Sequence, residues 1–368
     1  MTSRSKKWLL VTAAMVAFGY LAYRSGGSLG LAGFSGAKLW AAIKGSNPFW
    51  LGGALILIHS CYAVRSLRWM VFQRNLGRAE FWEIYRATLA GFAAVFLLGR
   101  AGEPIRPVLL ARGARHPLAD IFGIWVLERL FDIASMVVIA AVALLVFKGS
   151  VHSGDAAATI ASASRTAGTF LSVGVGGAIL FLVYLKLHGT ALLETRLEGW
   201  LTGSGWRVRV AKIILGFIRG IQTVRSAGDL FGAVLYSAIH WALVLVVYYF
   251  VSQGFGGRLA ELRMSDCMLL LAFTLVGSVV QLPAVGGGSQ ALAIFAYTKV
   301  FGVERETAVA AAIVLWLVTF AGCSIVGIPL LIREGVSLGQ LRQLAENEKE
   351  ELDEIAAHGS AGSSGKGE

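Results

Sequence analysis

Long apolar stretches alternate with short polar segments along most of the 368-residue chain. A helix needs roughly 20 apolar residues to cross about 30 Å of hydrocarbon. Stretches of about this length lie at 7–24, 48–70, 119–147, 166–187, 229–252 and 307–332. We therefore predict six membrane-spanning helices. No small-x-small cleavage site follows the first stretch, which favours a retained helix over a signal peptide.

Two further apolar stretches, 87–112 and 266–301, are interrupted by helix-breaking residues. Residues 87–98 would form a helix of only about 18 Å, too short to span the membrane. The sequence GRAGEP then breaks it, and a second short helix from Pro104 to about Arg112 leads back. This pattern predicts a re-entrant helical hairpin that enters and leaves on the same side.

The second interrupted stretch follows the same plan from the other side of the membrane. Pro283 and the glycines at 286–288 form the break, and a return helix is expected at 289–301. The two stretches align with Leu89 on Leu271 and with their breaks at nearly the same offset. Hairpins that enter from opposite sides would make an inverted repeat, a recurring plan among transporters.

Composition agrees with a membrane protein, since 56% of the residues are hydrophobic and only 15% are charged. The mean hydropathy is +0.68. The predicted fold class is an all-α polytopic membrane protein with about six full spans and two opposed re-entrant hairpins. The predicted domains are a transmembrane domain at 1–335 and a charged, partly disordered cytoplasmic tail at 336–368.

Lys and Arg residues set the expected orientation, because they prefer cytoplasmic loops. With both termini in the cytoplasm, 21 of them lie in cytoplasmic segments and nine in segments on the opposite side. The predicted location is therefore the cytoplasmic membrane, with both termini inside. Basic loops that face anionic lipid also explain most of the net charge of +11, so no nucleic-acid partner is expected.

Cysteines and histidines give no sign of a metal site or a cofactor. Cys61, Cys267 and Cys323 lie apart from one another in apolar segments, and the six histidines are scattered without a ligand spacing. We expect neither a metal nor a cofactor.

Four short motifs in this order resemble a known membrane family. They are RSLRW at 65–69, GRAGEPIR at 99–106, LERLFD at 127–132 and the Pro-then-Gly turn at 283–288 followed by FGV at 301–303. Together they resemble the lysylphosphatidylglycerol synthase transmembrane region, the family of flippase-like domain proteins. The resemblance covers roughly residues 5–335. It implies a role in moving aminoacylated or otherwise modified lipids between leaflets, or in lipid-linked sugar pathways.

The sequence departs from this family in two respects. Many relatives carry PGGxGxxE at the second turn, whereas this chain has PAVGGGSQ with Gln290 near the expected acid. A proton- or cation-linked role of that acid is therefore not expected. The bifunctional relatives also carry a large soluble transferase domain, and we expect none in this chain.

The two predicted breaks suggest a binding site for an anionic headgroup. Pro104 suits the first position of a helix, with Gly102 or Glu103 as its cap. The second return helix would begin after the glycines. Two helix amino ends would then face each other, and their free N–H groups and partial positive charge attract anions. The candidate substrate-binding residues here are Arg100, Gly102, Glu103, Arg106, Gly286, Gly287, Gly288 and Gln290.

Arginines at these breaks would add bidentate donors for phosphate. A purely structural pair between Glu103 and Arg106, three residues apart, is the alternative. The functional interpretation is favoured because an ionisable residue within a membrane costs roughly 2.5–3.5 kcal/mol on insertion scales, and a structural role could be filled at lower cost.

A second group of candidate substrate-binding residues lies on the predicted spans. Glu128, Arg129 and Asp132 would lie near mid-depth, either as a buried ion-pair lock or as a substrate or proton site. Arg65 and Arg68 end the second span, where snorkelling to the cytoplasmic surface is favoured over substrate binding.

The leading functional hypothesis is a flippase- or scramblase-like lipid transporter, whose substrate is an anionic or phosphate-bearing amphiphile. A polyprenyl-linked lipid is a second candidate substrate. The alternative is a membrane-embedded transferase that acts on a lipid-linked sugar or aminoacyl lipid, with Glu103, Glu128 or Asp132 as base. No phosphate-binding loop and no Ser/His/Asp set supports catalysis, so we name no catalytic residue.

Overall fold

The fold comes from a computed structural model that describes residues 36–74, 76–77, 80–114, 117–147, 226–278, 281–282 and 286–334, together with six single residues between 166 and 177. The predicted span at 7–24 and the tail at 336–368 lie outside the described residues. So does the predicted span at 166–187, apart from those six residues.

The described chain is almost entirely helical. The helices are α1 (Gly36–Gly45), α2 (Pro48–Gln73), α3 (Phe81–Leu98), α4 (Ile105–Ala114), α5 (Leu118–Val146), α6 (Ala227–Phe255), α7 (Met264–Gly277), α8 (Gly288–Phe295), α9 (Arg305–Trp316) and α10 (Gly322–Arg333). Shorter elements are a 3-10 turn (Gly99–Gly102), one helical turn (Gly257–Ala260), two π turns (Ala296–Val300, Leu317–Ala321) and an antiparallel pair of strands, β1 (Gln281–Leu282) and β2 (Gly286–Gly287).

Five helical segments are long and apolar enough to cross a membrane, namely Pro48–Gln73, Phe81–Leu98, Asp120–Val146, Gly228–Phe255 and Arg305–Arg333. The last joins α9 and α10 through the second π turn. Four of the five coincide with predicted spans, which confirms a multi-pass α-helical membrane fold.

The remaining segment, α3 (Phe81–Leu98), is longer than the sequence pattern predicted. It begins at Phe81 rather than at residue 87, and its 18 residues are enough to span by length. The charged residues Glu83 and Arg86 lower the hydropathy of this first part of the helix, so the sequence pattern missed it, although Ile84 beside them is fully buried. Length alone therefore does not distinguish a re-entrant arm from a span.

Helices α2 and α6 form an antiparallel pair that runs through the middle of the fold. Gly53 faces Phe250 at one end of the pair, and Gly232 faces Val71 at the other. Capping residues define the start of both helices. The Asn47 side chain accepts a hydrogen bond from the backbone N–H of Phe49, and Pro48 occupies the first turn of α2. Ser226 caps α6 in the same way.

Two hydrophobic clusters pack against this pair. The larger one joins α2 and α6 to α7, α8 and α9, with Ile58, Val247 and Leu270 among its buried residues. The smaller one joins α2 to α3, α4 and α5, and contains Trp69 and Ile105. The second predicted hairpin thus packs in the larger cluster, and most of the first packs in the smaller one.

Helices α3 and α4 form an antiparallel hairpin around the first predicted break. A Cβ atom on Gly91 would lie 2.6 Å from Cβ of Arg106, so the two helices touch through this glycine. Gly99 turns the chain with a φ of 67°. The Phe96 ring packs against Trp316, with ring centroids 5.5 Å apart. Since Trp316 lies about 16 Å along the Arg305–Arg333 segment, the break lies beside the middle of that helix.

Helices α7 and α8 form the second hairpin, which approaches from the opposite end of the α2–α6 pair. A side chain on either Gly277 or Gly288 would overlap the backbone of the other, so the two helices cross in direct contact. Strand β1 lies against the 3-10 turn of the first hairpin, and the two breaks therefore meet. This arrangement favours re-entrance and an inverted repeat, which both stay predictions.

Thiol labelling tests the re-entrant topology. In a chain whose native cysteines are replaced, Glu80→Cys and Pro117→Cys flank the first hairpin, and Glu261→Cys and Glu304→Cys flank the second; all four positions are exposed. A membrane-impermeant maleimide should label each flanking pair from one side, and the two pairs from opposite sides. Labelling of Glu80→Cys and Pro117→Cys from different sides would make α3 a conventional span.

The crossing of α7 and α8 gives a prediction on stability. Gly277→Ala and Gly288→Ala should each destabilise the purified protein by about 1–3 kcal/mol, because the added methyl group meets backbone that cannot move aside cheaply. Gly52→Ala is the matched control, since a Cβ there meets no described atom within 4 Å. Thermal unfolding in detergent measures the difference, and equal stability of all three variants would contradict the close crossing.

Candidate functional site

Two arginines of α2 are buried in an ionic network with α5. The Arg65 guanidinium donates from Nε to Glu128 Oε1 and from Nη2 to Asp132 Oδ2, both at 2.5 Å. Arg68 donates from Nη2 to Asp132 Oδ1 at 2.7 Å and from Nη1 to Ser237 Oγ of α6 at 2.9 Å. Neither arginine reaches the surface. The favoured snorkelling interpretation of these two residues is therefore wrong.

The helical period explains why these four side chains meet. Arg65 and Arg68 are three residues apart on α2, and Glu128 and Asp132 are four apart on α5, so each pair lies on one helix face. Their chemistry explains why they stay together, because a buried carboxylate needs charged or hydrogen-bonding partners in place of water.

Arg106 of α4 joins the same network from the first hairpin. Its Nη1 donates to Glu128 Oε2 at 2.8 Å and to Oε1 at 3.0 Å. The guanidinium carbon lies 4.4 Å from the centre of the Trp69 ring, a cation–π contact. The charged partner of Arg106 is thus Glu128 on another helix, which corrects the alternative in which it pairs with Glu103.

Arg129 completes the network on α5. Its Nη2 lies 3.3 Å from Asp132 Oδ2 and 3.8 Å from Glu128 Oε1. Arg129 and Asp132 are three residues apart, so they lie on the same face of α5. Four guanidinium groups thus surround two carboxylates, and the network carries more positive than negative charge.

Several buried donors of these arginines have no hydrogen-bond partner among the described residues. They are Nε of Arg68, Nε and Nη2 of Arg106 and Nε of Arg129. The indole N–H of Trp241 on α6 also has no acceptor among the described residues. A buried N–H group without an acceptor costs about 1–3 kcal/mol. The site is therefore short of hydrogen-bond acceptors as well as of negative charge.

Arg106, Arg129 and Trp241 line a cavity of about 470 Å³ between the two hairpins, whereas Arg68 does not. One wall is cationic and includes Arg65, Arg106 and Arg129. Hydroxyl and amide groups form another wall, with Thr274, Ser278, Ser289, Gln290 and Thr319. Apolar side chains complete the lining, among them Phe92, Val95, Met136, Leu315, Trp316 and Phe320. A cavity of this size accommodates a small ligand or a lipid headgroup.

The second break reaches the cavity through the start of α8. Gln290 lines the cavity, and its Oε1 accepts from the backbone N–H of Gly287 at 2.6 Å. Gly287 has a φ of 142°, which favours glycine. Gly286 and Gly287 form β2, and Gly288 opens the helix. The amide at position 290 thus takes part in capping the return helix.

The structure brings most of the predicted site residues to one place. Arg65, Glu103, Arg106, Arg129, Asp132 and Gln290 line the cavity. Arg68 and Glu128 lie directly behind its cationic wall. Gly102 packs against the backbone of Ala94 within the first break. The side chain of Arg100 lies outside the described part of the chain. What each residue contributes to binding stays a prediction.

Sequence reasoning missed the hydroxyl groups and the aromatic residues of the cavity. Thr274, Thr319 and Trp241 lie on apolar helices far apart in the sequence, where a single hydroxyl or indole group is unremarkable. Trp69 directly follows Arg68 in the RSLRW motif, but no sequence signal showed that its ring would lie under Arg106. Within the described ranges, no group of three or more His, Cys, Asp or Glu side chains could hold a metal ion.

Comparison with known proteins supports the membrane assignment. No curated protein matches the chain. The family described as the lysylphosphatidylglycerol synthase TM region matches residues 8–327, which include both hairpins and the whole ionic network. The chain is therefore a multi-pass membrane protein that belongs to the lysylphosphatidylglycerol synthase TM region family, a family connected with membrane lipids.

Proposed function

We propose that this protein moves an anionic, phosphate-bearing lipid between the two leaflets of the cytoplasmic membrane. One observation carries the proposal: the Nε and Nη2 groups of Arg106 have no acceptor among the described residues, and Arg106 lines a cavity with excess positive charge. A phosphate group supplies both the acceptors and the negative charge, and guanidinium groups bind it through paired hydrogen bonds.

The rest of the cavity suits the apolar part of such a molecule. Phe92, Leu315 and Phe320 lie on the same cavity as the arginines. A soluble anion would gain nothing from this apolar wall, whereas an amphiphile fills both parts at once. The lining therefore favours a lipid over a small solute.

The two hairpins support transport rather than simple binding. Their breaks meet beside the cavity, and they approach it from opposite ends of the α2–α6 pair. In transporters with broken helices, substrates bind at such a meeting point near mid-depth, and movement of one half against the other exposes the site alternately to each side. The same movement here would carry a headgroup across the membrane.

The transferase alternative needs a carboxylate that can take up a proton. Both oxygens of Glu128 accept from guanidinium groups, and so do both oxygens of Asp132. These two residues are therefore poorly placed to act as a base. Glu103 lines the cavity and is the remaining candidate.

Substitution of Arg106 tests the anion site. Arg106→Gln should slow the transfer of a tail-labelled anionic lipid about 10- to 100-fold, because a hydrogen bond to a charged group contributes about 1.5–3 kcal/mol. Arg106→Lys keeps the charge but loses the planar fork, so its rate should lie between those of Arg106→Gln and the wild type. Quenching of the outer-leaflet label in proteoliposomes measures the rate.

The Arg106→Gln variant should still fold, because Arg65, Arg68 and Arg129 remain to pair with the two carboxylates. Arg112→Gln is the matched control, since Arg112 is exposed on the same helix and does not line the cavity. A normal transfer rate in well-folded Arg106→Gln protein would refute the anion site.

A test in detergent, where there are no leaflets, distinguishes transport from catalysis. The wild-type protein in detergent should leave a lipid-linked sugar donor or an aminoacyl lipid donor chemically unchanged, while the same preparation transfers labelled lipid after reconstitution. Mass spectrometry of the donor measures turnover. Donor consumption that Glu103→Gln abolishes would favour the transferase.

A further inference from the structure

We propose that Trp69 is the positioning residue of the anion site. Its indole ring holds the Arg106 guanidinium in place and leaves one edge of that group free for the phosphate of the lipid. This inference rests on the proposed function, and it assigns a role to a residue that does not line the cavity. Trp69 therefore acts through Arg106 and not through contact with the ligand.

The contacts of Arg106 leave only one edge of its guanidinium group unused. The guanidinium carbon lies over the Trp69 ring, 4.4 Å from its centre. On one edge, Nη1 donates to both carboxylate oxygens of Glu128. Nε and Nη2 have no acceptor among the described residues. These two nitrogens share the edge of the fork whose parallel N–H groups bind two phosphate oxygens at once.

An aromatic ring suits this position because it stabilises a cation without offering it a hydrogen-bond acceptor. The electron-rich face of the ring attracts the guanidinium group, and tryptophan does so more strongly than phenylalanine or tyrosine. A carboxylate in the same place would occupy the N–H groups that the phosphate needs. The contact of Arg106 with Trp69 is also shorter than that of Arg68 with Phe72, where the distance is 6.0 Å.

Packing and a hydrogen bond fix the orientation of the Trp69 ring. Trp69 is fully buried in the smaller hydrophobic cluster. Its indole N–H donates to Oε1 of Gln73, one turn further along α2, at 3.1 Å. Gln73 is itself buried, and its amide nitrogen has no acceptor in the described part of the chain. A buried amide with an unused donor lowers stability, so holding the ring accounts for a glutamine among these apolar residues.

Substitution of Trp69 tests the proposal by binding. Dioctanoyl phosphatidic acid is the phosphate-bearing probe, and dioctanoylglycerol is the same amphiphile without the phosphate. The rise in Tm of the purified protein with probe concentration, in detergent, gives the dissociation constant. Trp69→Leu should weaken binding of phosphatidic acid about tenfold, and Trp69→Phe, which keeps a ring, about threefold. Binding of dioctanoylglycerol should be weak and equal in all variants.

Phe72→Leu is the matched control for packing. Phe72 is buried in the same cluster and lies under Arg68, and neither residue lines the cavity. The control should lower the Tm of the free protein, as Trp69→Leu does, but keep the wild-type affinity for phosphatidic acid. If Phe72→Leu binds as weakly as the Trp69 variants, any packing defect in this cluster has the effect, and the inference is overturned. Should Trp69→Leu not fold, Trp69→Phe gives the same comparison.

A double substitution separates positioning from an independent role. In Arg106→Gln protein, the addition of Trp69→Leu should change the rate of anionic lipid transfer by no more than about twofold, because Trp69 acts only through the guanidinium group. A further loss of about tenfold would mean that Trp69 contributes without Arg106, which contradicts the proposal.

The outcomes also distinguish this inference from the proposed function. If the wild-type protein neither binds phosphatidic acid nor transfers anionic lipid, the proposed function fails together with the inference. If the wild type does both, and Arg106→Gln impairs both while the Trp69 variants behave like the wild type, the inference alone fails.

Discussion

Charge buried at membrane depth must be neutralised locally, because hydrocarbon supplies neither water nor counterions. In this protein, arginines of α2 and α4 meet two carboxylates of α5. The contact between Arg65 and Asp132 alone joins residues 67 positions apart. If one of these helices moved away, a charge would lose its partners inside the membrane. The ionic network therefore fixes the relative positions of the helices around the cavity.

The same network accounts for the chemistry of the cavity. Its carboxylate oxygens are all occupied by guanidinium groups, yet donors of Arg106 and Arg129 still lack acceptors among the described residues. An ion-pair lock with balanced charges would leave neither an excess charge nor unused donors. The structural and functional interpretations of these residues are thus compatible, because the carboxylates hold the arginines while Arg106 and Arg129, which line the cavity, keep donors without acceptors among the described residues.

Glycines make room for the two hairpins beside this network. Gly91 lets α3 approach Arg106, and Gly277 and Gly288 let α7 and α8 cross in direct contact. Close backbone approach between small residues is common where helices associate in membranes. In this protein, it places the hairpin that carries Arg106 and the hairpin that carries Thr274, Ser278 and Gln290 beside a single cavity.

The sequence by itself determined the membrane class, four of the described spans, both helix breaks and most of the charged site residues, because each depends on local hydropathy, on glycine and proline or on helical spacing. It left the partners of Arg65, Arg68 and Arg106 open, and it placed the start of α3 six residues too late. Only the tertiary structure decided which charges meet, that Trp69 lies under Arg106, and that Thr319 and Tyr248 share a cavity with the arginines. Such contacts join separate helices, and a pattern within one helix carries no information on what the neighbouring helix presents to it.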